Sequence, residues 1–204
     1  MKEDKRKGKG KGEVGYISFM KKRELLFSLG LFLIAAAVFV AGLALNNWNK
    51  GNVFTIAAAV LIIPMARFLT QFILLLPFKS VSPELASEVE RIATGGSIIY
   101  ADNVIASTEK AMQLSFIVIT SNKVLCYTGR EKENALKCQE YLRDIVKRRG
   151  YDFTVTVTDD RQKFMNLLKG SDSAAAIEFE NEEARKHFDD TRAGLCKELE
   201  SIMV

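Results

Sequence analysis

Histidine appears once, at His187, and tryptophan once, at Trp48; cysteine appears three times, at Cys126, Cys138 and Cys196. No two of these cysteines have Cys-x-x-Cys spacing and their number is odd, so neither a disulfide framework nor a zinc site is expected. His187 has no Ser, Cys or Glu-x-x-His pattern around it, which leaves triad and zinc chemistry without their residues. No catalytic residue, metal ligand set or cofactor site is announced by motif. Charge is missing from two long stretches. Leu25–Leu45 has no ionisable side chain, and Val53–Pro77 has only Arg67.

Those stretches organise the chain. A helix needs about 20 apolar residues to cross a ~30 Å hydrocarbon core, and both runs are long enough. They read as a transmembrane helical hairpin within residues 25–80, with spans of about 25–45 and 53–77. The external loop is then Asn46–Asn52, with Trp48 at interfacial height. Gly30, Ala37, Ala41 and Gly42 on the first span, and Ala57–Ala59 on the second, are small enough for close helix approach. A homodimer through the same faces is the second arrangement these residues allow. A cleavable signal peptide is the competing reading, but its apolar region is usually about 7–15 residues, shorter than this run.

The chain has 204 residues and a net charge of +4, unevenly spread. Residues 1–24 carry net +5, residues 25–80 net +3, and residues 81–204 net −4. The basic character belongs to the membrane part, so nucleic acid is not an expected partner. Residues 1–24 read as a basic disordered cytoplasmic leader, with 1–12 too polar and glycine-rich to fold. Lys21-Lys22-Arg23 beside the first span keeps the N-terminus inside. Two spans return the chain, so residues 81–204 form a cytoplasmic domain. The lipid bilayer and a protein at the inner leaflet are the expected partners.

The domain reads as mixed α/β. Ser82-Pro83-Glu84 opens a helix to about Ala93, with a cap, an N1 proline and a first-turn acid. Strands follow at Ile98–Tyr100 and Val104–Ala106, with a turn or bulge at Asp102-Asn103 between them. Gln113–Thr120 and Lys123–Tyr127 form a β-hairpin. A helix over Lys132–Arg149, a strand at Phe153–Val157, a short helix capped by Asp159, a strand at Ala174–Phe179 and a last helix capped by Asn181 complete the order α-β-β-β-α-β-α-β-α. Helices covering a sheet are the expected architecture.

The candidate sites are few. Thr94-Gly95-Gly96-Ser97 is glycine-rich, but a helix leads into it and a strand leaves it. That is the reverse of a phosphate loop, so it reads as a helix stop. Asp159-Asp160 lies where open α/β sheets gather ligands, and it is also what a helix start wants. Lys147-Arg148-Arg149 and Arg67 are the candidate contacts to anionic lipid, Arg67 by snorkelling to the cytoplasmic headgroups. Over Ser82–Val157 the order α-β-β-β-α-β resembles the restriction-endonuclease-like core. That family places an acid on one strand and Glu-x-Lys on the next. Here the corresponding strand reads Lys123-Val-Leu-Cys-Tyr127, and Glu109-Lys110 are adjacent rather than spaced. The rival functional reading is a metal-dependent enzyme with a degenerate nuclease-like or nucleotide-handling domain, using Asp102, Glu109, Asp159 or Asp160 on a metal. Phe116–Tyr127 is also similar to a hairpin of bacterial pleckstrin-homology-like membrane domains, although the α/β alternation after it departs from that barrel. Three functions are thus in play: a membrane-anchored binding or interaction module, a metal-dependent enzyme handling nucleic acid or nucleotide, and a lipid-headgroup sensor.

Overall fold

The computed structural model describes residues 9–49, 51–93, 96–106, 111–129, 135–171 and 182–203. The chain divides into two compact units, Ile17–Lys79 on one hand and Met1–Tyr16 with Ser80–Val204 on the other.

The first unit holds most of helix α1 (Tyr16–Leu45) and helix α2 (Val53–Leu75). α1 begins nine residues before the expected start at Leu25. Lys21, Lys22, Arg23 and Glu24 are therefore helical, because lysine, arginine and glutamate are good helix formers and nothing between Tyr16 and Leu25 breaks the helix. α2 is capped by Asn52, whose side chain accepts from Thr55 N at 2.9 Å, and it ends just before Pro77. Phe27 and Phe68 stack at 5.4 Å between centroids, and Asn52 Nδ2 donates to Gly42 O at 3.3 Å. A Cβ on Gly42 would lie 2.3 Å from Phe54 Cβ, so the close approach needs glycine there. Gly30 is different: a Cβ there meets nothing within 4 Å. Both helices are long and apolar enough to cross a membrane. Among the described residues, every exposed large hydrophobic side chain except Leu136 lies between Leu25 and Leu76, with Leu26 and Ile63 each 72% exposed.

The second unit is a mixed α/β domain. Helix α3 (Pro83–Ile92) has Ser82 as its cap, with Ser82 Oγ accepting from Leu85 N at 3.3 Å. Strands β1 (Ile98–Ala106), β2 (Ala111–Ile119), β3 (Lys123–Tyr127) and β4 (Thr154–Thr158) form one sheet in that order. β1/β2 and β2/β3 are antiparallel; β3 and β4 are parallel, joined through helix α4 (Ala135–Arg148). Helix α5 (Arg161–Lys169) and helix α6 (Glu182–Ile202) follow. The expected start of α4 at Lys132, the strand Ala174–Phe179, the Asn181 cap and Glu109 lie outside the described residues.

The sheet is covered on both faces. Cys138, Leu142 and Val146 of α4 and Leu195, Cys196 and Leu199 of α6 pack on one face, against Leu114, Ile117 and Ile119. Ala86 and Val89 of α3 and Phe164, Met165 and Leu168 of α5 pack on the other, against Phe116, Val118 and Leu125. Burial of each large side chain contributes about 1.5–3 kcal/mol, which explains the near-continuous apolar run of β2.

Two expectations change here. β1 runs unbroken where two strands and a turn were expected, and Asp102 sits inside it at φ 53°. The pairing register is kept, Ala101 with Phe116 and Asn103 with Leu114, yet the faces slip by one. Ile98 and Tyr100 point to the α4/α6 face, and so does Ile105; on β2, Met112 and Leu114 share that face with Ile117 and Ile119. A period-2 strand changes parity only if one residue leaves the alternation, and Asp102 opposite Ser115 is where it happens. Residues 1–12 are expected to be disordered; residues 1–8 lie outside the described residues, while Gly12 bonds to the edge of β1 that has no strand beside it among the described residues. Ala101 N donates to Gly12 O at 2.7 Å, and Lys11 Nζ donates to Met203 O at 2.7 Å. Met203 also bridges Ile105. An edge strand presents unpaired N–H and C=O groups, and these segments satisfy some of them.

Candidate functional site

Asp102 is 1% exposed. Its Oδ2 accepts from Gly15 N at 2.6 Å and its Oδ1 from Val81 N at 2.6 Å. Gly15 and Val81 flank the helical hairpin in the chain. The left-handed turn of the backbone at Asp102, which aspartate tolerates better than most residues, aims the carboxylate off the ladder toward both segments. Each bond to an ionised carboxylate is stronger than an amide–amide bond, and the pair satisfies a buried charge with two backbone donors. Asp102 therefore acts as a clasp, with both oxygens engaged by backbone rather than open to a metal.

The carboxyl ends of β3 and β4 hold the next polar group. Ser115 Oγ donates to Thr128 O at 3.1 Å, and Thr128 N donates to Thr158 O at 3.1 Å. Gly129, at φ 66°, comes so close that a Cβ would sit 2.1 Å from Ser115 Oγ. β2 and β3 carry no carboxylate. Asp160, not Asp159, caps α5: its Oδ1 accepts from Gln162 N at 2.7 Å and Lys163 N at 3.1 Å. Asp159 is exposed. Both aspartates face Tyr127, whose hydroxyl is pushed up first by burial, with Arg161 opposing and the two acids adding. Among the described residues no three His, Cys, Asp or Glu side chains gather as a metal would require.

The basic candidates are separated. Arg67 is exposed on α2, and Lys147, Arg148 and Arg149 are exposed at the end of α4. Arg148 lies 3.9 Å from Asp144, and Arg149 pairs with Glu198 at 3.2 Å. A cleft of about 440 Å³ lies between α3 and α5, lined by Glu88, Arg161, Gln162, Met165, Asn166 and Lys169. The Glu88–Arg161 ion pair crosses it.

Sequence reasoning missed two buried ionisable side chains. Glu24, 1% exposed, accepts from Arg23 Nη2 at 2.8 Å through Oε1, while its Oε2 has no partner. Arg192 is 8% exposed on α6. The signal for Arg192 was present: Phe188, Leu195 and Leu199 form the apolar stripe of α6, and position 192 continues it at i+4 from Phe188.

No family model, curated protein or solved structure matches this chain. The fold defines its class: a mixed α/β domain whose chain also carries a two-helix apolar hairpin.

Proposed function

We propose that this protein is a membrane-anchored interaction module, with its α/β domain on the cytoplasmic side binding a protein partner at the inner leaflet. One observation carries the reading. The large apolar side chains left exposed among the described residues are concentrated on α1 and α2, a surface that lipid would cover and water would not. The basic residues of the hairpin support the orientation. Lys21, Lys22, Arg23 and Lys79 sit at one end, where Lys21 Nζ donates to the carbonyls of Leu76 and Phe78, and the opposite end is the short loop around Trp48. Anchoring raises the local concentration of the domain for a partner at that surface. The enzyme and lipid-sensor readings have no comparable support, because the carboxylates of Asp102 and Asp160 are engaged by backbone N–H groups and Arg148 and Arg149 lie beside acids.

The test is alkaline carbonate extraction of the full chain expressed in cells. It is combined with labelling of Asn49→Cys by a membrane-impermeant maleimide. Retention in the pellet with external labelling is the expected result. Release into the supernatant would overturn the anchor; labelling only after permeabilisation would invert the orientation.

A further inference from the structure

Arg161, Met165 and Lys169 recur at i, i+4 and i+8 on α5, so they lie in one row along the helix. Gln162 and Asn166 form a second row beside them. Both rows line the cleft of about 440 Å³ between α3 and α5, a volume within the range of about 300–1,000 Å³ usual for ligand clefts. Met165 is buried and gives the cleft an apolar floor, whereas Arg161, Gln162, Asn166 and Lys169 are exposed. Glu88 of α3 is the acid in the lining. It accepts from Arg161 Nη2, which holds the guanidinium across the cleft and leaves Nε and Nη1 without a partner among the described residues. Lys169 has no acid beside it among the described residues. The side-chain amides of Gln162 and Asn166 likewise bond nothing among them.

We propose that this cleft binds an extended, acidic segment of the protein partner, an inference that rests on the interaction-module reading above. Charge selects the occupant. Two cations and one acid line the cleft, and the acid is already paired with Arg161. Residues 81–204 are net −4 overall, but charges more than about 8 Å away are screened at physiological salt, so the cations at hand decide. Spacing selects the form of the acid. Arg161 and Lys169 are eight residues apart on one helix, about 12 Å at 1.5 Å per residue. An extended chain advances about 3.3 Å per residue, so acids three or four positions apart match that separation better than one small anion does. The second row selects the backbone. Side-chain amides both donate and accept, and an extended chain offers free N–H and C=O groups that a helix has already paired. Met165, unbranched and flexible, adapts to the side chain that lies over the floor.

The experiment presents the full chain in detergent micelles with a phage-displayed library of random dodecapeptides. The selected peptides are then labelled with fluorescein and titrated by anisotropy at physiological salt. Enrichment of sequences with two acids three or four positions apart is expected, with micromolar binding. Lys169→Glu should weaken the selected peptides about tenfold, because it puts like charges together. Lys163→Glu makes the same charge change on the same helix outside the cleft lining and should leave binding within about twofold, which separates the cleft from general attraction to the basic leader. Asn166→Trp fills the cleft and should abolish binding. All three positions are exposed, so none of these variants removes a core contact. No enrichment, enrichment of basic or apolar sequences, equal loss with Lys163→Glu and Lys169→Glu, or full binding by Asn166→Trp overturns the site. Carbonate extraction reads the anchor independently. Peptide binding by a chain that is released keeps the cleft and overturns the anchor, and retention in the pellet without peptide selection does the reverse.

Discussion

Each oxygen of the Asp102 carboxylate accepts one backbone N–H, so the residue has no spare acceptor directed at either donor. Asp102→Asn keeps the size and tolerates the left-handed backbone, but it turns an amide N–H₂ toward one of the two donors. One charge-assisted bond is lost and one buried N–H is left unmet, a cost of about 2–4 kcal/mol. The expected outcome is a lowered urea midpoint for the full chain in detergent, with β-sheet circular dichroism retained below the transition. An unchanged midpoint would show that water replaces the clasp at no cost. The aspartate is readable in the sequence as a turn former. Its partners are not, because Gly15 and Val81 are distant in sequence from it and from each other, and only the sheet edge brings them together.

Gly42 and Gly30 separate close packing from mere smallness at the scale of the hairpin. Both are small residues on an apolar helix, and the sequence treats them alike. A side chain at Gly42 meets Phe54 Cβ at 2.3 Å, whereas Gly30 faces open space. Gly42→Leu should therefore force α1 and α2 apart near their connection, while Gly30→Leu should be tolerated. Cysteine cross-linking between residues flanking the Phe27–Phe68 and Gly42–Phe54 contacts measures this in membranes. Loss of cross-linking with Gly42→Leu and retention with Gly30→Leu is expected. Equal behaviour of the two variants would mean that small size alone, rather than this contact, sets the packing.

Burial of thiols and phenols links the stability of the domain to alkaline pH. Burial, with a smaller contribution from Cys138, pushes the Cys126 thiol well above its ordinary value of 9.0. Burial likewise raises Tyr100, with Cys196 and Glu200 adding. The sign follows from proton counts. The unfolded chain releases these protons from about pH 9 upward while the folded chain keeps them, so stability is level below that range and falls as pH rises through it. Urea midpoints measured from pH 7 to 11 should decline from about pH 9. A flat profile to pH 10.5 would contradict the assignment. Because Cys126 is fully enclosed, its reaction with a thiol reagent should follow global unfolding rather than local opening.

Much of the chain was determined locally, and that part was legible. The apolar runs specify helices by their length, Ser82-Pro83-Glu84 specifies a helix start, and the alternating and continuous apolar stretches specify strands, because each depends on residues a few positions apart. The fold class followed from the order of those elements. The start of α1 was misjudged because charge marks where a segment meets water, not where its helix begins. What tertiary structure alone decided is the meaning of polar residues. Asp102 became a clasp rather than a ligand once the edge of β1 collected residues 12–15 and 81. Asp160 rather than Asp159 became the cap once β4 was seen to run to Thr158. The carbonyl of Gly96, in a turn read as a helix stop, accepts from Arg192 of the last helix, a buried cation. Hydrophobic patterning is written in sequence because burial is averaged over an element; the role of a buried charge depends on the few atoms that meet it, and those come from anywhere in the chain.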